Sequence, residues 1–352
     1  MRRDVIIVAV LLLAGLAYLS TGRWAGPRLL CQVTGRVLSP PVGAGRWVAW
    51  LEGDEKERRL VVTARSGGER RTVLAAAELS GLAVRGETAY VTRSEGNGRA
   101  ELLEVSLPGG GTKTAAELPE GADQIACAGG WVVWRRSREP GLPGVPFVAA
   151  AAPVTVIRAR PVGRGPVRVA AVVSGEGSSK EGFDLLGVAG DRAYWLERSA
   201  APNERTWIRR APCPGGEVET IAEEPGIRSA ALEDGVLLWT GPSLEAGSAM
   251  SCSSVKRMDV EKGGSEVIAD WLGRETVVLL SSGEGYGQEQ GSLWRLGGKR
   301  GEQRRLSIGP PGLMSGRVIG DEEFIFLRGG AQMALAKRPL SLWSRIRSLA
   351  GR

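Results

Sequence analysis

Apolar and polar residues alternate in short runs along most of the chain, and glycine-rich turns separate these runs. Alternation places one side of a strand toward a core and the other toward solvent, so the runs predict β-strands. One eight-residue motif recurs, in which a turn with Gly or Asp leads to three apolar or aromatic residues. Its seven copies end at Trp50, Val91, Trp134, Trp195, Trp239, Leu279 and Phe326.

The turn of this motif predicts a tight β-hairpin in each copy. The motif recurs at intervals of about 40–47 residues, the length of a propeller repeat, with one longer interval between Trp134 and Trp195. Tight hairpins need a residue that tolerates a positive φ, and glycine or aspartate does so at low cost. The residues at the turn position are Gly45, Gly86, Gly129, Gly190, Asp234, Arg274 and Asp321.

A second motif follows in most repeats: a β-type run, a Gly-Gly turn and another short strand. Its turns are Gly67-Gly68, Gly109-Gly110, Gly215-Gly216, Gly263-Gly264 and Gly297-Gly298. Each repeat therefore holds two hairpins, or four strands, which is the content of one propeller blade. The sequence predicts an all-β fold, a seven-bladed β-propeller, with six or eight blades as the alternatives.

The last repeat, Arg317–Arg338, has no Gly-Gly turn and so lacks a fourth strand. A closed ring of blades leaves no sheet edge between neighbours open. The β-like segment Leu29–Val37 precedes the first repeat. We expect this segment to supply the missing outer strand and to close the ring.

Three long connections are expected between strands two and three of their blades, on the face where propellers commonly bind: Ser137–Ala152, Gly241–Ser251 and Ser282–Gly291. Two glycine-rich segments, Gly285-Tyr286-Gly287 and Pro108–Lys113, are interpreted as turns. Neither has the spacing of a phosphate-binding loop or opens a helix.

The N-terminus carries an unbroken apolar run, Val5–Leu19, after Arg2 and Arg3. With Ser20–Gly22 the run reaches the length of a membrane-spanning helix. A cleaved signal peptide shares the basic start and apolar centre, but no Ala-x-Ala cleavage pair follows this run. We predict an N-terminal transmembrane helix that acts as an uncleaved signal-anchor, a single pass through the cytoplasmic membrane with the propeller outside the cytoplasm.

These patterns divide the chain into a membrane anchor over residues 1–22, a linker over 23–28, the propeller over 29–338 and a C-terminal tail over 339–352. In the tail, Leu342, Trp343, Ile346 and Leu349 share one face of an amphipathic helix. Such a helix either lies on an anionic membrane surface or packs across a propeller face.

Composition narrows the chemistry. The 352 residues include no histidine, which excludes His-based acid–base catalysis, Ser-His-Asp and Cys-His sites, and the commonest zinc, copper or iron ligand.

The four cysteines, Cys31, Cys127, Cys213 and Cys252, form no C-x-x-C pair and are expected to be buried, although a Cys213–Cys252 disulfide is conceivable. The net charge of +7 is spread along the chain, which favours a solvated surface over a nucleic-acid groove. We expect no metal and no cofactor.

Arginines recur just beyond the first motif and form the candidate binding site. Two positions past it stand Glu52, Arg93, Arg136, Glu197, Gly241, Ser281 and Arg328. Arg198 lies one step further. Converging guanidiniums grip a carboxylate or phosphate bidentately. Arg93, Arg136, Arg198 and Arg328 are therefore the candidate site for an anionic partner, and the alternative is unconnected charges at strand ends.

The phrase Ala193-Tyr194-Trp195 after a Gly-Asp turn, and hairpins such as Cys213-Pro214-Gly215-Gly216, resemble TolB-like and YWTD-like β-propellers, including bacterial propeller domains of unknown function. The resemblance covers Leu29–Arg338 and departs from the YWTD pattern at Leu196-Glu197, where Thr-Asp is usual. It implies a rigid binding platform. The expected function is a noncatalytic extracytoplasmic scaffold for a protein or cell-envelope partner. A glycan-acting lyase or hydrolase, or a small-ligand sensor, is the alternative.

Overall fold

The computed structural model describes residues 28–54, 56–94, 100–118, 122, 124–137, 154–163, 165–174, 182–199, 205–242, 252–273, 276–281, 284–289, 292–296, 304–307, 314–319, 323–328 and 332–337. The predicted anchor (1–22), most of the linker and the tail (339–352) lie outside these residues, as do Arg274 and Asp321. All regular structure in the described ranges is β-strand. They contain no helix with the length and apolarity needed to cross a membrane.

The strands form seven antiparallel sheets, numbered here 1 to 7 in chain order. Sheet 1 consists of β2 (Arg36–Val37), β3 (Val42–Ala44), β4 (Trp47–Gly53), β5 (Arg58–Ala64) and β6 (Arg71–Ala76). Sheet 2 consists of β7 (Glu78–Arg85), β8 (Thr88–Ser94), β9 (Ala100–Ser106) and β10 (Thr112–Leu118). Sheet 3 consists of β11 (Gln124–Ala128), β12 (Trp131–Ser137), β13 (Val154–Pro161) and β14 (Arg168–Ser174). Sheet 4 consists of β15 (Phe183–Ala189), β16 (Arg192–Arg198), β17 (Arg205–Pro212) and β18 (Glu219–Pro225).

The remaining sheets follow the same order. Sheet 5 consists of β19 (Ala230–Glu233), β20 (Val236–Pro242), β21 (Cys252–Asp259) and β22 (Ser265–Gly273). Sheet 6 consists of β23 (Val277–Ser281), β24 (Glu284–Glu289), β25 (Ser292–Leu296) and β26 (Arg304–Ser307). Sheet 7 consists of β27 (Met314–Ile319), β28 (Glu323–Arg328), β29 (Gln332–Lys337) and, from the other end of the chain, β1 (Arg28–Gln32).

The innermost strands of the sheets contact one another in a cycle. β3 contacts β7, and the contacts continue through β11, β15, β19, β23 and β27 back to β3. Sheets arranged radially around a central axis are the architecture of a β-propeller. The predicted all-β propeller fold is confirmed.

Sheet 7 is completed by the strand at the start of the described chain. β1 runs antiparallel to β29, with Arg28 opposite Leu335 and Gln32 opposite Gln332. The expected outer strand is therefore present, but it is shorter than Leu29–Val37, because Arg36–Val37 form β2 and pair with β4 in sheet 1.

The inner strand of sheet 1 is split into β2 and β3 by Pro40 and Pro41. Proline has no N–H to donate to the ladder. The N–H of Leu51 donates instead to Ser39 Oγ, at 2.9 Å, and Leu38 N–H donates to the Leu51 carbonyl at 2.8 Å. The side chain of Ser39 thus satisfies a backbone group of β4 at the break.

The hairpin turns between strands one and two confirm the predicted backbone geometry. At the described turn positions φ is 53° at Gly45, 59° at Gly86, 58° at Gly129, 59° at Gly190 and 47° at Asp234. Asp234 is the sole residue other than glycine with a positive φ in the described ranges. Aspartate tolerates this conformation, which explains why it replaces glycine in one repeat.

Sheet 6 corrects the sequence interpretation of its repeat. The motif copy that ends at Leu279 is the innermost strand, β23, rather than strand two, and Leu272 belongs to β22 of sheet 5. Strand two is β24, so Gly285-Tyr286-Gly287 lie in a strand and not in a turn. The prediction that Ser282–Gly291 is a long loop between strands two and three is therefore wrong. These glycines are needed for space, because a Cβ on Gly285 would lie 2.8 Å from Leu238 Cδ1 and one on Gly287 3.1 Å from Thr276 Cγ2.

The core lies between the sheets and is built on the tryptophans that end the motif. Trp50, Trp134, Trp195 and Trp239 are at most 1% exposed. Each packs between its own sheet and the preceding one; Trp50, for example, packs with Leu30 of sheet 7. Burial of a large aromatic at each of these boundaries ties neighbouring sheets together.

Candidate functional site

The two ends of the sheets differ in their connections. We call the end where strand two meets strand three the loop face, and the opposite end, with the tight hairpins, the turn face. On the loop face β12 ends at Ser137 and β13 begins at Val154, while β20 ends at Pro242 and β21 begins at Cys252. The predicted connections Ser137–Ala152 and Gly241–Ser251 therefore do join strands two and three. Loops on a rigid scaffold are the usual carriers of binding residues.

Polar side chains link adjacent sheets where the inner strands begin on the loop face. The hydroxyls of Ser80 and Thr92 lie 2.7 Å apart in sheet 2. Both also donate across the boundary to the carbonyl of Ala122, at 3.0 and 3.1 Å. In the same zone Arg58 of sheet 1 donates to the carbonyl of Leu79 at 3.0 Å.

Asp184 is the hub of the next boundaries. Its carboxylate accepts from Gln124 Nε2 of sheet 3 at 3.4 Å and forms an ion pair with Arg198 of its own sheet at 2.8 Å. Gln124 in turn accepts from the backbone N–H of Leu185 at 2.6 Å. Arg198 also donates to the carbonyl of Arg228 in the connection to sheet 5, at 3.1 Å.

The linkage continues into sheets 5 and 6. Thr240 Oγ1 accepts from the backbone N–H groups of Arg228 and Ser229, at 3.2 and 3.1 Å. Ser229 Oγ accepts from the N–H of Val278, at 3.1 Å. Together with the contacts above, these bonds form a polar ladder that crosses every boundary from sheet 1 to sheet 6. The ladder links sheets 1 to 6 along the loop face.

The four candidate arginines all lie near the end of a second strand on this face. Arg93 is in β8, Arg136 in β12, Arg198 in β16 and Arg328 in β28. The side chains of Arg136 and Arg328 lie outside the described part of the structure. Arg93 forms an ion pair with Glu101 directly across the hairpin, at 2.5 Å, and Arg198 binds Asp184. Two of the four guanidiniums are therefore already engaged by carboxylates of their own sheets.

Buried or partly buried glutamates recur at the sheet boundaries, and Glu52 and Glu224 each accept from the indole N–H of a tryptophan. Glu52 is fully buried and accepts from Trp50 Nε1 at 3.0 Å, from Thr34 at 3.2 Å and from Arg70. In sheet 4 the same Trp-Leu-Glu sequence places Glu197 3.2 Å from Arg209. The repetition at 50–52 and 195–197 is the sequence signal for these buried carboxylates, since residues i and i+2 share one side of a strand.

Glu224 fills the corresponding role between sheets 4 and 5. Its Oε1 accepts from Trp239 Nε1 at 3.3 Å and from Lys256 Nζ at 2.7 Å. Because Glu224 stands on the outer strand of the preceding sheet, no local spacing in the sequence connects it with Trp239. These carboxylates are matched by cations inside the protein, as buried charges must be.

The described thiols are inert at neutral pH. Cys31, Cys127 and Cys213 are free, and no disulfide involves Cys213. Burial raises the pKa of Cys31 and of Cys127 to about 11, and the pKa of Cys213 to about 12. A thiol acts as a nucleophile or metal ligand only as its thiolate. The side chain of Cys252 lies outside the described residues.

The aspartates of the hairpin turns have structural roles. Asp234 adopts the positive φ of its turn, and the Asp191 carbonyl accepts from the N–H of Cys213 at 2.7 Å. Across the residues that the structure describes, no three His, Cys, Asp or Glu side chains cluster so as to hold a metal ion.

No family model and no curated protein matches the sequence. Among solved structures, Pyrococcus horikoshii acylaminoacyl peptidase matches with a TM-score of 0.61 at 14% identity, over 90% of this chain and 54% of the peptidase. The β-propeller domain of the Trilobed protease from Pyrococcus furiosus matches with a TM-score of 0.57 at 14% identity, over 86% of this chain and 95% of that domain. An oligogalacturonate lyase in complex with manganese matches with a TM-score of 0.55 at 10% identity, over 92% and 99%.

This chain thus spans about half the length of the acylaminoacyl peptidase. At such identities the likeness shows the fold alone, and it confirms the predicted β-propeller. Activity and partners do not follow from it.

Proposed function

We propose that this protein is a noncatalytic scaffold that binds a protein or cell-envelope partner through its loop face. Residues 1–22 hold it in the cytoplasmic membrane, and the propeller lies outside the cytoplasm. The observation that carries the proposal is the contrast between the faces. The loop face combines long connections with a polar ladder that locks neighbouring sheets, whereas the turn face has tight hairpins.

The scaffold is a ring of seven blades, each corresponding to one sheet, with six or eight blades as the alternatives. The cyclic contacts of the innermost strands support this number, as does the pairing of β1 with β29. A closed ring is a rigid frame, and rigid frames lower the entropic cost of binding.

A binding role is supported by the charged side chains on the loop face, which include several arginine–carboxylate pairs. Arg93 pairs with Glu101, Arg198 with Asp184, and Arg205 with Glu223 at 3.0 Å. An anionic group of the partner would share or replace these internal carboxylates, and charge complementarity across an interface favours specificity. In this proposal Arg93, Arg136, Arg198 and Arg328 contact an anionic region of the partner.

Site-specific photo-crosslinking in the native cell tests which face binds. A photoreactive amino acid is placed on the loop face at Glu78 or Arg205, both exposed, and at matched exposed positions of the turn face, Glu217 or Glu261. We expect adducts of one constant mass from Glu78 and Arg205 and none from Glu217 and Glu261. Equal yields from the two faces, or no adduct, would refute the proposal.

A glycan-acting lyase or hydrolase is the rival function. The full-length protein in detergent is incubated with oligogalacturonate and with envelope glycans, and products are followed by chromatography and mass spectrometry. Turnover by the wild type that survives repurification would show that the protein is an enzyme and would refute the noncatalytic role. Stabilisation by a small metabolite in a thermal-shift screen would instead favour the sensor alternative.

A further inference from the structure

Both ends of the described chain lie on the turn face. β29 is a third strand, so it runs from the loop face to the turn face and ends there at Lys337. β1 is antiparallel to β29, with Arg28 opposite Leu335, so β1 starts at the turn face. The segment before Arg28 and the segment after Lys337 therefore connect to the propeller side by side.

The first of these segments is predicted to anchor in the membrane, and the second is predicted either to lie on an anionic membrane surface or to pack across a propeller face. The segment before β1 contains the predicted anchor over residues 1–22, and the segment after β29 contains the predicted amphipathic tail over 339–352. A linker of six residues spans at most about 20 Å when fully extended. An anchor ending at residue 22 would therefore bring the turn face near sheets 7 and 1 within about 20 Å of the bilayer.

The turn face is basic on this side. Arg28 donates to the carbonyl of Arg65 at 2.5 Å, and Arg65 donates to the carbonyl of Gly45 at 3.0 Å. The Arg46 side chain is 69% exposed. The cations of sheets 7, 1 and 2 on this face, called the basic sector, are Arg28, Arg46, Arg65, Arg71, Arg85 and Lys113. The carboxylates beside them are Glu69, Glu87, which pairs with Arg46 at 3.2 Å, Glu104, 3.7 Å from Lys113, and Glu323, the first residue of β28, which stands opposite Lys337. Cations still outnumber carboxylates on this side.

The opposite side of the turn face is acidic. Its carboxylates in sheets 4 and 5 are Asp191, Glu217, Glu219, Glu233, Asp234, Asp259 and Glu261. Arg192 and Arg210 both bind Glu219, and Lys262 binds Asp259. The charge of the turn face is thus polarised, with its positive side next to the terminal segments.

Trp47 stands at the centre of the basic sector. The guanidiniums of Arg46 and Arg71 each lie 5.1 Å from the centre of its ring. Its Nε1 donates to Glu87 at 3.4 Å. A half-buried tryptophan between arginines is typical of side chains at a membrane–water interface, where the apolar ring and the polar edge face different media.

We infer that the basic sector of the turn face docks on anionic phospholipid headgroups. Arg28, Arg46, Arg65 and Arg71 face the headgroup phosphates, and Trp47 lies at the level of the headgroups. Docking points the loop face away from the bilayer, toward the partner. This inference rests on the proposed membrane anchoring, and it adds the orientation that anchoring alone leaves free.

The full-length chain is tested in vesicles of phosphatidylcholine alone and of phosphatidylcholine mixed with phosphatidylglycerol. A fluorescent amino acid replaces exposed Ser66 in the basic sector, and a matched protein carries it at Glu261 on the acidic side of the same face. Lipids with a nitroxide on the headgroup quench a fluorophore that touches the surface. We expect quenching at Ser66 in the anionic vesicles only, reversed by salt, and little quenching at Glu261.

The charge dependence is tested by Arg46→Gln with Arg85→Gln. An arginine near an anionic surface contributes about fivefold to binding, so the docking equilibrium should fall about thirtyfold. Arg205→Gln with Arg228→Gln removes the same charge from the loop face and should leave docking unchanged. Equal quenching in both lipids, equal quenching at Ser66 and Glu261, or no effect of the first pair would overturn the inference.

Flotation of the full-length chain with vesicles distinguishes the proposed membrane anchor from the proposed docking of the basic sector. Flotation with both vesicle types in high salt supports the anchor, and the fluorescence then decides on docking. Flotation with anionic vesicles alone, released by salt, supports docking and refutes the anchor. A chain that floats with neither vesicle type refutes both.

Discussion

Gly129 and Gly190 meet where the hairpin turn of sheet 3 touches that of sheet 4. A Cβ built on Gly129 would lie 2.1 Å from the carbonyl oxygen of Gly190. Atoms this close would force one of the two turns to move. Position 129 therefore requires glycine for two reasons: the close contact between the sheets and its positive φ.

Replacing Gly129 with alanine is expected to destabilise the protein by about 3 kcal/mol or more, from the left-handed backbone and the displaced turn together. Gly86→Ala is the control, because Gly86 has nearly the same φ, 59°, with nothing within 4 Å of the added Cβ. It should cost about 1–2 kcal/mol. Urea unfolding of the full chain measures both, and equal losses would show that the contact contributes nothing.

Removing the buried carboxylate of Glu52 is expected to weaken the boundary between sheets 7 and 1. Glu52→Ala leaves the guanidinium of Arg70 and the indole N–H of Trp50 without their acceptor, which should cost about 3–5 kcal/mol. Glu57→Ala removes a solvent-screened partner of Arg59 and should leave the stability almost unchanged. Hydrogen exchange should accelerate in β1 for Glu52→Ala alone. Unchanged exchange in β1 would contradict a role in joining these sheets.

A double-mutant cycle on Asp184 and Arg198 tests the hub of the polar ladder. Their side chains are 45% and 28% exposed, so solvent screens the pair and its coupling energy should be about 0.5–1 kcal/mol. The variants are Asp184→Asn and Arg198→Gln. The more exposed pair Arg205 and Glu223, 69% and 47% exposed, is the reference and should couple more weakly. A larger coupling in the reference pair would exclude the hub role.

Stability is expected to fall at alkaline pH through Cys213. Its pKa is 9.0 for an exposed thiol and about 12 in the folded protein, because burial disfavours the thiolate. The unfolded chain therefore loses its proton first, so this contribution is fully present below pH 9 and is lost as pH rises from 9 toward 12. The slope is up to about 1.4 kcal/mol per pH unit.

Unfolding by urea between pH 8 and pH 11 measures this slope in the wild type and in Cys213→Ala. The substitution also removes volume, but that cost does not depend on pH. A slope that is the same in both proteins would mean that another group is responsible.

Local features of the fold could be predicted from the sequence. The hairpin turns at Gly45 and Asp234 follow from backbone sterics within a few residues, and the buried Trp50 and Trp195 follow from the unbroken apolar runs of their strands. Sheet 6 could not be predicted in the same way. Its second strand contains Gly285 and Gly287, and the reason for them is the close packing of Leu238 and Thr276 from elsewhere in the chain.

The candidate site was harder to predict for the same physical reason. Alignment of the repeats places the candidate arginines on one face. The carboxylates that bind them, however, depend on how the strands pair with one another. Glu101 faces Arg93 once the register of the hairpin is known. The contact of Asp184 with Gln124 joins two neighbouring sheets, so it can be predicted only when the arrangement of the sheets is known.

The pairing of β1 with β29 has a consequence for synthesis on the ribosome. Gln32 leaves the ribosome long before Gln332, its partner across the closure. At about 5–20 residues per second the first strand waits tens of seconds for its neighbour. During that interval the nascent chain carries an unpaired, partly apolar strand at one end. A chaperone that covers β1 cotranslationally would therefore protect this protein until its last sheet is made.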